Sequence, residues 1–400
     1  MPGIVLRRIH FVTFEYAGLR RIITYCETGT AATRPPLAVI CKMKKTIQTI
    51  IIFFFFISCK KEEIVTSSTN GNEFFVSAVD ISSYPEISLS NPTFYDLEQD
   101  RKDFFLILKE NGINTIRLKL WVNPSSVHSG FNEVEEFTQS LKDKGFKIWL
   151  TVHYSDTWAD PANQQIPDIW QGLNFSTLKD SVYNYTKNVV TQIKPDYIQI
   201  GNEINSGFLH PYGNINTNYQ NFIDLIKTGV LAVRQNLTDC KIILHFAGLQ
   251  NSDWFFNKIK TIDYDIIGLS YYPIWHGKSL IDLKSKMQQL SITFQKEIII
   301  AETAYPFTLG WNDWTNNIVG QSDQLILPEY PATPEGQRNF IKQIKKVVKE
   351  VPNGIGFCYW GGELIAWNGS QSINGSTWEN QALFDFNNQA LPVLKEFKEE

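Results

Sequence analysis

The sequence lacks the features that mark several large classes of protein. It has no excess of basic charge, because 37 Lys and Arg stand against 41 Asp and Glu. Eight of the basic and two of the acidic residues lie in residues 1–58, which leaves 29 basic and 39 acidic residues beyond them. Phosphate-binding surfaces need clustered Lys and Arg, so an acidic body argues against a nucleic-acid partner. No apolar run reaches the ~20 residues of a membrane-spanning helix.

Cysteine is also scarce. Of the five cysteines, only Cys240 and Cys358 lie beyond residue 59. Neither is in the CxxC or Cys/His spacing of a zinc site, and 400 residues are too many for a small disulfide scaffold. Their apolar neighbours predict buried, unreactive thiols. A disulfide between the two cysteines is the alternative, which the sequence does not decide.

Residues 43–58 have the outline of a secretory signal. Met43 and two lysines precede a short apolar stretch that ends in Ser58-Cys59. A cysteine directly after a small residue resembles the lipobox of bacterial lipoproteins, in which the thiol is acylated. The resemblance implies lipidation of Cys59, export, and attachment to the outer membrane with the protein at the cell surface. An ordinary signal peptide with a chance cysteine is the alternative.

The residues on either side of this segment are not expected to belong to the folded domain. Residues 59–72 are mostly small and polar and predict a flexible tether. Residues 1–42 show no usable periodicity and precede the better start at Met43, so we interpret them as a spurious upstream extension.

From residue 73 onward, short β-branched or aromatic runs alternate with longer amphipathic stretches. The predicted strands are 74–79, 115–118, 147–152, 197–201, 242–246, 266–270, 297–301 and 354–359. The predicted helices include 97–111, 134–144, 177–193, 219–235, 280–294 and 333–351. Such alternation indicates βα units and a parallel sheet. Eight units, with no GxGxxG after the first strand, predict an α/β fold that is a single (β/α)8 TIM barrel spanning 73–400.

Polar and aromatic residues follow nearly every predicted strand. They are Asp80, Arg117, Trp121, His153, Asp156, Asn202, Glu203, His245, Tyr271, Tyr272, Glu302 and Trp360. Active sites of TIM barrels are built at the carboxyl ends of the strands. Eleven tryptophans, all beyond residue 58, add the flat apolar faces that suit sugar rings. The pattern predicts a sugar-binding cleft.

Glu203 and Glu302 are the predicted catalytic pair. Each ends an apolar strand, where an unused charge is costly. Glycoside hydrolysis needs two carboxyl groups across the scissile bond. Glu203, beside Asn202, suits the general acid and base, and Glu302 suits a nucleophile kept ionised by neighbours such as Arg117 and Tyr271. Asn202 is expected to bind the sugar 2-hydroxyl.

Several longer runs resemble glycoside hydrolase family 53 of clan A, the arabinogalactan endo-β-1,4-galactanases. The runs are 112–124, 153–161, 201–204, 267–273, 275–277, 301–306, 330–337 and 378–385. The resemblance covers about residues 74–395. It implies retaining, endo-acting hydrolysis of galactan in type I arabinogalactan, with Glu203 as acid/base, Glu302 as nucleophile and no required cofactor. It also implies substrate contacts, which fall on Asp80, Arg117, His153, Trp158, Asp160, Asn202, Tyr271 and Trp360.

Two features depart from the family pattern. After Trp360 the family usually continues with a Glu-Pro-Ala-Trp-like run, whereas this chain has Gly361-Gly-Glu-Leu-Ile-Ala-Trp367. Some bacterial members hold a structural calcium ion after the seventh strand. Here that region offers Asp313 and Asp323 without EF-hand spacing, so no metal ligand is assigned and calcium stays possible.

Three alternatives remain at this stage. The chain could be another clan A endo-glycanase acting on mannan, xylan or β-glucan. An altered eighth loop could make it exo-acting. A non-catalytic surface glycan-binding lipoprotein would be expected to lack a catalytic carboxylate. A monomer is expected, since a tethered depolymerase has no evident need for a partner subunit.

Overall fold

The structure, a computed structural model, describes residues 74–399 and two amino-terminal strands. These strands, Phe11–Tyr16 and Leu19–Thr24, pair antiparallel. The predicted signal segment 43–58, the lipidation site Cys59 and the tether 59–72 lie outside the described residues, as does most of 1–42. Among the helices described, none has the length and apolar character needed to cross a membrane.

Eight parallel strands form a closed barrel within residues 74–399. They are β1 (Val76–Asp80), β2 (Thr115–Leu120), β3 (Lys147–Val152), β4 (Tyr197–Ile200), β5 (Lys241–Ala247), β6 (Ile266–Ser270), β7 (Glu297–Thr303) and β8 (Gly354–Trp360). Each strand pairs with the next, and β8 pairs with β1. The predicted (β/α)8 barrel is confirmed.

Helices connect the strands over the outside of the barrel. Within residues 74–399 they are α1 (Tyr84–Ser88), α2 (Phe104–Glu110), α3 (Phe131–Asp143), α4 (Phe175–Gln192), α5 (Tyr219–Asn236), α6 (Ser252–Lys258), α7 (Pro273–His276), α8 (Leu280–Phe294) and α9 (Pro334–Lys349). After β8, a 3₁₀ helix at Pro392–Phe397 packs against α9. It takes the place of an eighth outer helix.

The first long predicted helix, 97–111, starts too early. The structure begins α2 at Phe104, because the Asp103 side chain accepts a hydrogen bond from the backbone N–H of Leu106 and caps the helix there. Asp96 accepts the N–H groups of Glu98 and Asp100 and holds that segment as a turn.

The core has two layers. A small cluster fills the barrel interior and includes Trp149, Ile299, Ala301 and Cys358. A much larger layer lies between the sheet and the helices. Cys240 and Cys358 are both buried and free, as their apolar neighbours predict. The filled interior closes the barrel from below, so its upper end is the floor of a site and not a channel.

Candidate active site

Glu302 points into the barrel because β7 is irregular. Side chains alternate along a strand, and Ala301 already faces the interior, so Glu302 would face outward in a regular strand. The pairing of β7 shifts by one residue at this point, where Ser270 of β6 lies opposite Glu302 after Leu269 pairs with Ile300. A β-bulge re-aims the following side chain. Glu302 therefore enters the centre of the barrel mouth and is only 7% exposed.

Glu203 reaches the same place by a different backbone conformation. It follows β4 through Gly201, at φ 78°, and has itself a φ of 46°. This left-handed region costs a non-glycine residue roughly 1–2 kcal/mol. Such strain collects at functional sites, where the surrounding structure holds it in place. Here it turns the carboxyl group of Glu203 toward Glu302.

The two carboxyl groups are close neighbours. One oxygen of each, together with a ring nitrogen of His245, lies within 4.8 Å of the others. Burial and the charge of Glu302 raise the pKa of Glu203 to about 8. Burial also raises the pKa of Glu302, but the Arg117 guanidinium opposes this shift. The arrangement gives one carboxyl group that keeps its proton near neutral pH and one that is held as an anion.

Arg117 is the buried cation that holds Glu302 in place. Its Nη2 donates to Glu302 Oε1 at 2.7 Å, and its Nη1 donates to Asp80 Oδ2 at 2.7 Å. The guanidinium lies 5.6 Å from the ring centroid of Trp149, which fills the barrel below it. Glu203, His245 and Glu302 are residue types that can bind a metal ion. The positive guanidinium already neutralises Glu302 and would repel a cation, so it disfavours metal binding there.

The second hydrogen-bond donor to Glu302 is Tyr272. The sequence predicted Tyr271 as the neighbour of Glu302 and as a substrate contact, and this prediction is wrong. The Tyr272 hydroxyl donates to Glu302 Oε2 at 3.1 Å. Tyr271 is completely buried, and its hydroxyl donates to the Gly277 carbonyl. Since Ser270 faces the interior, the next inward residue is the second one after it. Tyr271 thus faces the outer core layer and does not reach a substrate.

A cleft of about 900 Å³ runs over the carboxyl pair. Six tryptophans line it, and five of them form a row with ring centroids 5.6, 5.9, 4.5 and 6.1 Å apart from each ring to the next. In order they are Trp121, Trp158, Trp360, Trp378 and Trp275. Trp158 and Trp275 are 42% and 54% exposed. The other three in the row are partly buried. The two exposed indoles, one at each side of the row, offer stacking surfaces for sugar rings.

The other predicted contacts divide into two groups. Trp158, Asp160, Asn202 and Trp360 line the cleft with the two glutamates. Asp80, Arg117 and His153 lie beneath it, each less than 5% exposed, and are not among its lining residues. His153 accepts the backbone N–H of Ala159 through Nδ1 and thereby fixes the loop that carries Trp158. In this structure these three residues support the cleft from below, and direct contact with a substrate stays a prediction for them.

Charged residues of the cleft region that were missed include Lys119 and Glu363. Lys119 lines the cleft, with its ammonium 4.3 Å from the Trp158 ring centroid. Glu363 is 1% exposed, and burial and the charge of Asp80 raise its pKa to about 8. It lies in the unusual run after Trp360 and accepts the backbone N–H of Ser83 at 2.7 Å. The altered eighth loop is therefore tied to the loop after β1. Of these two residues, Lys119 could have been predicted from the sequence. It lies two residues after Arg117 on the same strand and therefore faces the same side.

Comparison with known protein families agrees with this geometry. The model of glycosyl hydrolase family 53 matches residues 76–397. The chain belongs to this family. Among its relatives, an arabinogalactan endo-β-1,4-galactanase of Cellvibrio japonicus is 34% identical over 348 residues, covering 81% of this chain and 90% of the relative. An endo-β-1,4-galactanase of Bacillus subtilis is 29% identical over 377 residues, covering 82% and 86%.

Solved structures give the same result. The catalytic domain of a family 53 enzyme from Ignisphaera aggregans superposes with a TM-score of 0.77 at 35% identity, covering 82% of this chain and 97% of that domain. A fungal β-1,4-galactanase superposes with a TM-score of 0.69 at 28% identity, covering 80% and 98%. The family 53 chain is thus a glycoside hydrolase of the TIM-barrel type, and the two glutamates are its candidate catalytic residues.

The loops after β7 and β8 contain buried oxygen atoms that have no donor. Four such atoms are Asp313 Oδ2, Asn317 Oδ1, Glu379 Oε2 and Asn380 Oδ1. The loops are joined where the Gly375 N–H donates to Thr315 Oγ1 at 2.8 Å. Unpaired buried oxygens are what a hard cation such as calcium needs. Asp323 is exposed and is not one of these four.

Proposed function

We propose that this family 53 chain is a retaining endo-β-1,4-galactanase that cuts the galactan of type I arabinogalactan. The observation that supports the mechanism is the closeness of the two carboxyl groups: one oxygen of Glu203 lies within 4.8 Å of one oxygen of Glu302, which leaves little room for a water molecule between them. Retaining glycosidases have carboxyl groups about 5–5.5 Å apart, whereas inverting enzymes leave about 6.5–9.5 Å for a water molecule. The galactan specificity is supported by the galactanases among the relatives.

In the first step, Glu302 attacks the anomeric carbon of the galactosyl unit. The glycosidic oxygen takes the proton of Glu203 and leaves with the rest of the chain. The result is a galactosyl ester on Glu302 and an ionised Glu203. The raised pKa of Glu203 keeps the proton available, and Arg117 with Tyr272 stabilises Glu302 as the anion that attacks.

In the second step, Glu203 removes a proton from water, and the oxygen of that water attacks the same anomeric carbon. The bond to Glu302 breaks, and a sugar with its original β configuration is released. Asn202 supports both steps. Its Nδ2 donates one hydrogen to the Ala159 carbonyl at 2.8 Å, and the other is available for the sugar 2-hydroxyl.

The test of this function is a product profile on linear β-1,4-galactan, with mannan, xylan and cellulose in parallel. A ladder of short galacto-oligosaccharides from galactan alone is expected. Release of only galactose or of one fixed oligomer would instead mean an exo-acting enzyme with a closed cleft end. Cleavage of one of the other glycans would identify that glycan as the substrate and contradict the galactan specificity. No release from any of them would favour a binding protein.

Calcium between the loops after β7 and β8 is a further proposal for this enzyme. The residues that would hold it are Asp313, Asn317, Glu379 and Asn380, and its charge would compensate two buried carboxylates. At calcium 100-fold above its Kd, binding adds about 2.7 kcal/mol of stability. We expect the Tm to be roughly 5 °C higher in calcium than in EDTA. Asp313→Asn should remove most of this difference, and an equal Tm of the wild-type protein in both buffers would contradict the site.

We also propose export and lipid attachment at Cys59, which rests on the sequence of residues 43–59. In cells that are fed radiolabelled palmitate, the full-length protein should carry label in the outer-membrane fraction. A Cys59→Ala variant should be unlabelled and released from that membrane. Label in both variants, or in neither, would contradict acylation of this cysteine.

A further inference from the structure

A buried hydrogen-bonded chain runs from the centre of the barrel to the acid/base Glu203. It begins at Gln199 of β4, passes through His245 of β5 and Ser270 of β6, and ends on Glu203 Oε1. Gln199, His245 and Ser270 are completely buried and do not line the cleft. Burying a polar side chain is costly unless it is hydrogen-bonded, and here each one is bonded to the next.

The amide orientation of Gln199 fixes the start of the chain. Its Nε2 lies 3.2 Å from the Gly201 carbonyl oxygen and 3.0 Å from Asn202 Oδ1. Both of these atoms only accept hydrogen bonds, so the amide nitrogen, and not the oxygen, must be there. The same nitrogen is 2.8 Å from His245 Nδ1. It therefore donates to that ring nitrogen.

The tautomer of His245 follows. Nδ1 faces the Gln199 amide at 2.8 Å and the backbone N–H of Glu203 at 3.4 Å, and both of these groups are donors. A proton on Nδ1 would point at a hydrogen of Gln199. Asn202 Oδ1 also lies 3.2 Å from Nδ1, but it already accepts from Arg117 at 2.9 Å and from Gln199 at 3.0 Å. Burial lowers the pKa of His245 well below its ordinary value, so the ring is neutral. Its single proton is on Nε2, which donates to Ser270 Oγ at 2.8 Å.

The direction of the last bond is then determined. A serine hydroxyl has one hydrogen, and since Ser270 accepts from His245, it donates to Glu203 Oε1. In a neutral carboxyl group the carbonyl oxygen is the better acceptor, so the bond from Ser270 favours Oε1 as the carbonyl oxygen. The acidic proton of Glu203 is then favoured on Oε2, the oxygen that Ser270 does not contact.

We propose that Ser270, oriented by His245 and Gln199, is a positioning residue that keeps the catalytic proton of Glu203 on Oε2, toward the scissile bond. The role rests on the proposed function of Glu203 as acid/base. Gln199, His245 and Ser270 then each have a specific function in the hydrogen-bonded chain. The proposal predicts that Ser270 affects proton transfer by Glu203 more than the attack by Glu302.

The test is Ser270→Ala, assayed on aryl β-galactobiosides with leaving groups of increasing pKa. A dinitrophenolate leaves without protonation, whereas phenolate needs the acid. We expect kcat/KM to fall about tenfold or more for the phenyl substrate and less than about threefold for the dinitrophenyl substrate, within the range that acid catalysis supplies. Because Ser270 lowers the pKa of Glu203, the loss of kcat/KM at alkaline pH should also move to higher pH.

Ser291→Ala is the matched control, because it also deletes a completely buried serine hydroxyl. The Ser291 hydroxyl donates to the Pro352 carbonyl and takes no part in the hydrogen-bonded chain to Glu203. It should change neither the leaving-group dependence nor the pH profile.

If Ser270→Ala does not fold, His245→Leu tests the same hydrogen-bonded chain. A smaller effect of the same kind is expected because Ser270 remains. Equal losses on all leaving groups, or no loss, would overturn the proposal. Cleavage by the wild-type enzyme of aryl oligosides of another sugar would refute the proposed substrate, and the role of Ser270 would then be measured on that sugar.

Discussion

Replacing Glu302 with alanine is expected to abolish galactan hydrolysis, with a fall in kcat/KM of at least about 10⁴-fold. The variant lacks the atom that forms the new bond to the anomeric carbon. Arg117 then loses its bond to Glu302, but its bonds to Asp80 and Asn202 remain, so the cleft should still bind oligosaccharides. Activity and galacto-oligosaccharide affinity are measured on the same preparation.

Azide distinguishes loss of the nucleophile from general damage. It can enter the space left by the carboxylate and attack an activated aryl galactoside from the same face. The product should be the α-galactosyl azide, whose configuration is inverted. Glu396→Ala is a matched control, because it deletes another largely buried glutamate, one that is paired with Arg338. It should retain activity. More than a few per cent of wild-type activity in Glu302→Ala would refute the assignment.

Replacing Glu203 with alanine is expected to lower kcat/KM on galactan by about 10²–10⁴-fold, which is the usual contribution of a general acid. A dinitrophenyl galactobioside, whose leaving group needs no proton, should lose little. Azide should now give the β-galactosyl azide, because it replaces the water of the second step and Glu302 is intact. The two variants thus differ in the configuration of one product, which identifies each glutamate.

The pH profile gives an independent check on Glu203. Its pKa is raised to about 8, and the protonated form is the active one. The kcat/KM of the wild-type enzyme should therefore fall as the pH rises through about 8, in addition to a separate fall at acid pH, where Glu302 takes up a proton. In Glu203→Ala, assayed on the dinitrophenyl substrate, the alkaline fall should be absent. A fall at the same pH in the variant would assign it to a different group.

The pattern of strands and their terminal residues made the barrel, and the meeting of the two candidate catalytic glutamates, predictable from sequence. The apolar runs of β3 and β6 have the predicted bounds, and Glu203 and Glu302 meet at the barrel mouth as expected. Local composition decides both features. The short helix α6 was not predicted, because seven residues are too few to show a helical period.

Side-chain direction was harder to predict than strand position. Simple alternation from Ser270 would have selected Tyr272 over Tyr271, so that error was avoidable. The same rule fails at Glu302, because the shift in the pairing of β7 reverses its direction. A bulge depends on how two strands pair, and that information is not local. Gln199 gave a weaker signal, a single amide between apolar residues of β4, and its role is evident only from its partners on β3 and β5.

The most direct test of the mechanism is the configuration of the first product. Galactan is digested in an NMR tube, and the anomeric proton of the newly released reducing end is followed from the first minutes. The close carboxyl pair predicts that β-galacto-oligosaccharides are formed first and that the α anomer grows only by mutarotation. If the α anomer were formed first, water would attack directly, and the assignment of Glu302 as a covalent nucleophile would be wrong.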